Sequence, residues 1–275
     1  MFSVIEEIKQ LIHQSGAEVV SVAVSDLNKE HTILVNPNLS FHPASTFKIC
    51  VMMEVFHQAQ QSLFSLDDGI LVKNKFQSIV DQSPFSLSIT DDSETNLHAC
   101  EGRAVPIRDL VIRMITQSSN LATNILIELV TPRKVNEYMR ELGAEGLMVR
   151  RGVEDNKAFE LGLNNAATAK ALMTILVKLA LHQVVSPDAS EAMLAIMKDQ
   201  RHNEGIPSLL PAGIPIAHKT GWIENLYHDA AIVYPHGRDP YVVVIMTSGL
   251  SDVKEAYSLV ASLSKLIFDC QNEWH

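Results

Sequence analysis

Three cysteines in 275 residues, with no Cys-x-x-Cys among them, exclude a disulfide-stapled scaffold and a zinc ribbon. Cys50, Cys100 and Cys270 read instead as reduced thiols buried as small hydrophobes. No stretch approaches 18 consecutive apolar residues, so the sequence carries no membrane span. Positive charge is scarce: 22 Lys and Arg against 32 Asp and Glu leave a net charge of −10. Phosphate contacts need clustered cations, so nucleic acid and anionic membrane surfaces are poor partners. No Gly-x-Ser-x-Gly elbow, P-loop or Gly-x-Gly-x-x-Gly occurs, which removes support for α/β-hydrolase, nucleotide and dinucleotide chemistry. Internal repeats and low-complexity tracts are missing as well.

What is present is an ordinary globular mixture, 47% hydrophobic and 20% charged. A chain of this length buries about three quarters of its unfolded surface and needs no covalent staples. Val4, Ile5, Ile8, Leu11 and Ile12 recur at helical spacing with Glu6, Glu7, Lys9 and Gln10 between them. That is an amphipathic surface helix, not the unbroken apolar core of a secretory signal, so the chain as written reads as cytoplasmic.

Val19 to Leu27 and His31 to Val35 read as paired strands, with Asn28 and Lys29 in the turn. Pro43 opens a helix running to about Gln60. Asp67 to Arg103 is polar and interrupted, an excursion or small hairpin with strand-like pieces at Ile70–Val72 and Phe85–Ile89. Helices follow at about Ile107–Thr116, Leu121–Val130, Pro132–Leu142, Ala167–His182 and Pro187–Lys198. The segment from Val149 to Asn165 reads as a loop. The period then changes, with strands at Ile214–Trp222, Asp229–Tyr234 and Tyr241–Ser248, and a closing helix at Val253–Cys270.

Strands at both ends and helices between them argue α+β. The expected fold is one antiparallel sheet built from both chain ends and covered by the terminal helices, with an all-helical lobe inserted. As a single domain, its sheet lobe takes about 1–42 and 212–275 and its helical lobe about 43–211.

Ser45-Thr46-Phe47-Lys48 opens the first helix after the early strands. One turn separates the hydroxyl from the amine, so both lie on one face. A serine needs a base to become a nucleophile, and a lysine serves when burial lowers its pKa. Alone the motif says little, because Ser251/Lys254 and Ser262/Lys265 repeat it. Order and company single out the first copy. Ser118-Ser119-Asn120 falls between two central helices, and Lys219-Thr220-Gly221 falls on the first strand after them.

In that order the three motifs resemble those of the class A β-lactamase and penicillin-binding serine hydrolase family. The resemblance spans nearly the whole chain and extends to Met114–Gln117 and Leu121–Asn124. It implies that Ser45 attacks a carbonyl and becomes the acyl-enzyme, that Lys48 accepts its proton, and that Ser118 carries a proton to the leaving nitrogen. Asn120 would hold the substrate's side-chain amide. Lys219 would supply positive charge near Ser118 and a substrate carboxylate, which Thr220 would hydrogen-bond. Gly221 and Trp222 would line the substrate strand, with the amides of Ser45 and Trp222 as the oxyanion hole.

The resemblance has departures. Ser119 stands where β-lactamases usually carry Asp. The glutamate that activates the hydrolytic water lies, in class A enzymes, in a Glu-x-x-Leu-Asn pattern. Glu160-Leu161-Gly162-Leu163-Asn164 matches that spelling, but the second half of the usual loop is missing. Alignment from the upstream arginines points instead to Glu154. Glu154, Glu160 or neither remain open.

The resemblance further implies a small-molecule β-lactam or another acyl amide or ester as substrate, with no cofactor. The alternative is a D-Ala-D-Ala carboxypeptidase-like or esterase-like hydrolase with poor β-lactam turnover. A non-catalytic module of the same fold would show a broken nucleophile motif, and Ser45 and Lys48 are both intact. The eleven histidines form no tight zinc-binding cluster, so no metal site is expected. They read as structural or surface residues, including His218 directly before Lys219.

Overall fold

Tyr241–Ser248 is apolar at almost every position, the pattern of a strand covered on both faces. Val242, Val244 and Met246 join one hydrophobic core, and Tyr241, Val243 and Ile245 join a second on the opposite face. The structure is a computed structural model and describes residues 2–27 and 31–271. The expected turn residues Asn28 and Lys29 lie outside the described residues.

The element order is α1 (Phe2–Ser15), β1 (Val19–Asp26), β2 (Thr32–Val35) and a 3₁₀ turn (Ala44–Phe47) that runs into α2 (Lys48–Gln60). Four short strands follow, β3 (Gly69–Leu71), β4 (Phe76–Gln77), β5 (Pro84–Phe85) and β6 (Ala104–Pro106). The central helices are α3 (Ile107–Thr116), α4 (Asn120–Val130), α5 (Pro132–Glu141), α6 (Asn156–Glu160), α7 (Ala169–Ala180) and α8 (Pro187–Lys198). The chain closes with β7 (Ile216–Ile223), β8 (Leu226–Val233), β9 (Tyr241–Ser248) and α9 (Val253–Cys270).

The main sheet has the order β2-β1-β9-β8-β7, and each neighbouring pair is antiparallel. Strands from both chain ends therefore interleave in one sheet, the α+β arrangement expected. Val4 and Ile8 of α1 and Leu259, Leu263 and Ile267 of α9 cover one face. The other face carries the inserted lobe, with α7 against it and α2 at the lobe's centre. α2 is buried nearly all round, which explains its run of Ile49, Cys50, Val51, Met52 and Met53.

The lobe is helical with two small additions. β3 pairs with β6, and β4 pairs with β5, inside the polar excursion. The expected strand from Phe85 to Ile89 shrinks to Pro84–Phe85, and Ile89–Asp91 turns as a 3₁₀ helix. The loop from Val149 to Asn165 holds the five-residue helix α6, too short to show a period. Cys50 is buried as expected, but Cys100 and Cys270 are only half-buried, and none of the three forms a disulfide. Among the described residues no helix is long and apolar enough to cross a membrane.

Candidate active site

A cavity of about 600 Å³ opens between β7, the 3₁₀ turn before α2, the connection of α3 to α4, and the 149–165 loop. Ser45, Ser118, Asn120, Glu154, Thr220, Gly221 and Trp222 all line it. Lys48 and Lys219 are buried completely behind its wall. The structure thus brings together the residues expected from the three motifs, and Glu154 with them. Glu160, at the exposed end of α6, does not line the cavity.

The 3₁₀ turn places Ser45 at the cavity and Lys48 one turn further in, as the first residue of α2. Strand β7 packs directly against that turn. A Cβ at Gly221 would stand 2.6 Å from the Ser45 amide nitrogen and 2.9 Å from that of Thr46, so only glycine permits the approach.

Lys48 Nζ donates to Ser118 O at 2.7 Å, to Asn120 Oδ1 at 2.9 Å and to Ser118 Oγ at 3.3 Å. Burial lowers its pKa to about 7, against the pull of the Asp92 and Glu154 carboxylates. Lys219 Nζ donates to Ser118 Oγ at 3.1 Å and to Thr220 O at 2.8 Å. Burial holds its pKa well below the ordinary lysine value, and the charge of Lys48 adds to the effect. Ser118 Oγ therefore sits between two desolvated amines, either of which can exchange a proton with it. Ser118 adopts φ of 60°, a left-handed conformation that costs a non-glycine residue about 1–3 kcal/mol.

Glu154 also has left-handed backbone, with φ of 62°. Its Oε1 accepts from Asn120 Nδ2 at 3.2 Å, and its Oε2 accepts from the Ser88 amide at 3.1 Å. Burial raises its pKa above the usual carboxylate value, partly offset by those two hydrogen bonds. Asn124, one turn beyond Asn120, fixes the preceding backbone. Its Nδ2 donates to Val153 O at 3.0 Å, and its Oδ1 accepts from the Val153 amide at 2.7 Å.

The loop is short but fastened at both ends. Asn165 Oδ1 accepts from the amides of Arg150 at 2.8 Å and Arg151 at 3.1 Å, and the Arg151 guanidinium donates to Asn164 Oδ1 at 2.8 Å. Asp155 caps α6 and accepts from Ser78 Oγ at 2.8 Å.

Sequence reasoning missed Asp92. Its buried carboxylate accepts from the amides of Asn120 and Leu121, both at 2.9 Å, at the N-terminus of α4. There it neutralises two unpaired donors at the positive end of the helix. His98 Nε2 faces the same carboxylate at 3.1 Å. Asp92 lies in the polar excursion, and no spacing in the sequence ties it to α4.

Two buried histidines, His218 and His228, are held by hydrogen bonds within the fold. His218 bridges Asp229 at 3.1 Å and Asn203 at 3.2 Å behind β7. His228 Nε2 donates to His42 O at 2.9 Å while its Nδ1 accepts from the Thr247 amide at 3.2 Å. Those partners fix one neutral tautomer, and burial keeps it neutral by lowering the pKa to about 4. Among the described residues no group of three or more His, Cys, Asp or Glu is placed to hold a metal ion.

Residues 3–271 match the profile of the β-lactamase enzyme family. The extended-spectrum β-lactamase PER-1 of Pseudomonas aeruginosa is 24% identical over 274 residues, covering 96% of this chain and 85% of that protein. Among solved structures, a β-lactamase from Chitinophaga pinensis superposes with a TM-score of 0.84 at 21% identity, over 98% of this chain and 99% of the other. A structure of PBP-A gives a TM-score of 0.84 at 21% identity, over 98% and 96%. At such identities the superpositions speak for the fold alone.

Proposed function

The chain belongs to the β-lactamase enzyme family, a class A-like serine hydrolase, and from that premise we propose that it opens β-lactam amides through an acyl-enzyme on Ser45. In the first half-reaction Ser45 Oγ bonds to the lactam carbonyl carbon and gives its proton to neutral Lys48. The C–N bond then breaks, and the nitrogen takes a proton from Ser118, which the buried amines of Lys48 and Lys219 replenish. A neutral Lys48 keeps two N–H donors, so it can donate to only two of its three partners. Ser118 Oγ, the longest at 3.3 Å, is the one partner that can donate in turn, so the contact through which a proton passes between them persists.

The amides of Ser45 and Trp222 serve as the oxyanion donors, each worth about 10²–10³-fold. In the second half-reaction Glu154 takes a proton from water as the water oxygen bonds to the acyl carbon, and the bond from that carbon to Ser45 Oγ then breaks as the same proton passes to Ser45, leaving Glu154 ionised again. Lys219 and Thr220 receive the substrate carboxylate.

The single observation that supports hydrolysis over a stable penicilloyl adduct is the Glu154 carboxylate. It lines the same cavity as Ser45 and accepts from Asn120, which in turn accepts from Lys48. Glu160 has no such company. The test is penicillin turnover: many turnovers per Ser45 support the reading. One equivalent bound and then held would make the protein penicillin-binding rather than hydrolytic.

A further inference from the structure

We propose that the end of the cavity beyond Thr220 is a cation subsite, taking an ammonium or pyridinium group that the substrate carries past its carboxylate. This rests on the reading of the cavity as a β-lactam-opening site, and it adds a substrate class: zwitterions.

The walls there are aromatic. Trp222 is 58% exposed at the rim of the cavity. It faces Tyr227 across the β7–β8 register, so both side chains leave the same face of the hairpin. Tyr257 of α9 meets the Tyr227 ring edge-on, with centroids 4.5 Å apart. Ring faces attract cations, more so where water is partly excluded.

The charges there are negative. Glu204 and Glu224 line this end, and Asp252 lines the adjoining cavity that shares Trp222, Glu224 and Tyr227. Among the described residues lining the main cavity no lysine appears, and its one guanidinium, Arg151, is tied into the 149–165 loop. Lys219 is buried behind the wall with its amine on Ser118 and Thr220. A carboxylate therefore has its place at Ser118 and Thr220, and a cation has its place further out.

Tyr227 carries one further feature at this end. Tyr227 is 2% exposed, yet its hydroxyl has no hydrogen-bond partner among the described residues. It sits beside the Glu204–Gly205 peptide and near the Asp229 carboxylate, since a Cβ at Gly205 would stand 2.5 Å from the hydroxyl and 2.7 Å from Asp229 Oδ2. Buried hydroxyls are seldom left unpaired without reason.

Two cephalosporins sharing the acyl side chain and the C4 carboxylate, one with pyridiniummethyl and one with acetoxymethyl at C3, test this directly. The ratio of their kcat/KM values should fall about fivefold or more in Glu204→Gln/Glu224→Gln, the scale of losing two exposed charge contacts. Added salt should lower the same ratio in the unmodified protein. A ratio unchanged by the substitutions overturns the subsite.

Binding separates this from the chemistry. Benzyltrimethylammonium, titrated into Ser45→Ala and followed by Trp222 fluorescence with Trp222→Phe as control, should bind at least about fivefold tighter than neutral neopentylbenzene. Equal binding of the two overturns the proposal. Tight cation binding by a protein that opens neither cephalosporin keeps the subsite and refutes the hydrolytic reading.

Discussion

Ser119 Oγ lies 3.4 Å from the carboxylate of Asp92, a residue 27 positions away in sequence. Ser119 is the N-cap of α4, its oxygen accepting from the Ala122 amide at 3.2 Å. The family usually has an aspartate at this position. Here the anion at the helix N-terminus comes from another segment, and the cap is neutral. A serine is the fitting partner for a carboxylate already in place.

Restoring the family's usual residue should therefore harm this protein. Ser119→Asp sets two buried carboxylates side by side and should cost about 2–4 kcal/mol of stability near neutral pH. Asp92→Ser alone should also destabilise, since it leaves His98 and two helix amides without their partner. The double variant should recover at least about 1 kcal/mol relative to the sum of the singles. Urea unfolding of the four proteins measures the coupling, and strict additivity would mean that Asp92 does not stand in for the missing acid.

Glu154→Gln should leave acylation within a few-fold and slow deacylation by about 10²–10⁴-fold, the usual weight of a general base. Glu160→Gln should change neither rate. Stopped-flow acylation followed by steady-state turnover separates the two steps. Loss of turnover in the Glu160 variant alone would assign the base to the wrong glutamate.

The pH dependence follows from burial. Lys48 must be neutral to accept the proton of Ser45, and its pKa is lowered to about 7. The acylation rate should rise with pH up to about 7 and then level. Deacylation needs ionised Glu154, whose pKa burial raises, so it should fail on acidification earlier than an ordinary carboxylate would dictate. Pre-steady-state rates across pH 5 to 9 check both limbs. An acylation rate that is flat between pH 5.5 and 8 would remove Lys48 as the base.

Gly221→Ala should cut kcat/KM by roughly 10²-fold or more. The added methyl needs the space 2.6 Å from the Ser45 amide and must push β7 off the 3₁₀ turn. Loss of one oxyanion donor alone has that size. Thermal unfolding beside the kinetics distinguishes displacement of the turn from general unfolding, and full activity would show the packing to be looser than described.

Much of this architecture was legible in the residues. Strand β9 and helices α3, α8 and α9 coincide with their expected bounds, because long apolar patterns with clear caps or breakers define their own ends. That Ser45, Lys48, Ser118 and Lys219 gather at one cavity was legible because a fixed order of motifs accompanies fixed element contexts. What stayed hidden acts through space. Asp92 reaches α4 from a polar excursion whose pairings are two or three residues long. Asn124 looks like an ordinary helix residue until its amide is seen holding the backbone next to Glu154. Which of Glu154 and Glu160 lines the cavity depends on how a shortened loop is fastened, which neither glutamate's neighbours in sequence reveal.

The most direct test of the acyl-enzyme is intact mass against time after mixing with a penicillin, with substrate loss followed in parallel. Rapid loss is expected, with a transient adduct of one penicilloyl group that peptide mapping places on Ser45, and none in Ser45→Ala. An adduct that persists in Ser45→Ala, or the absence of both adduct and loss in the unmodified protein, would contradict a Ser45 acyl-enzyme.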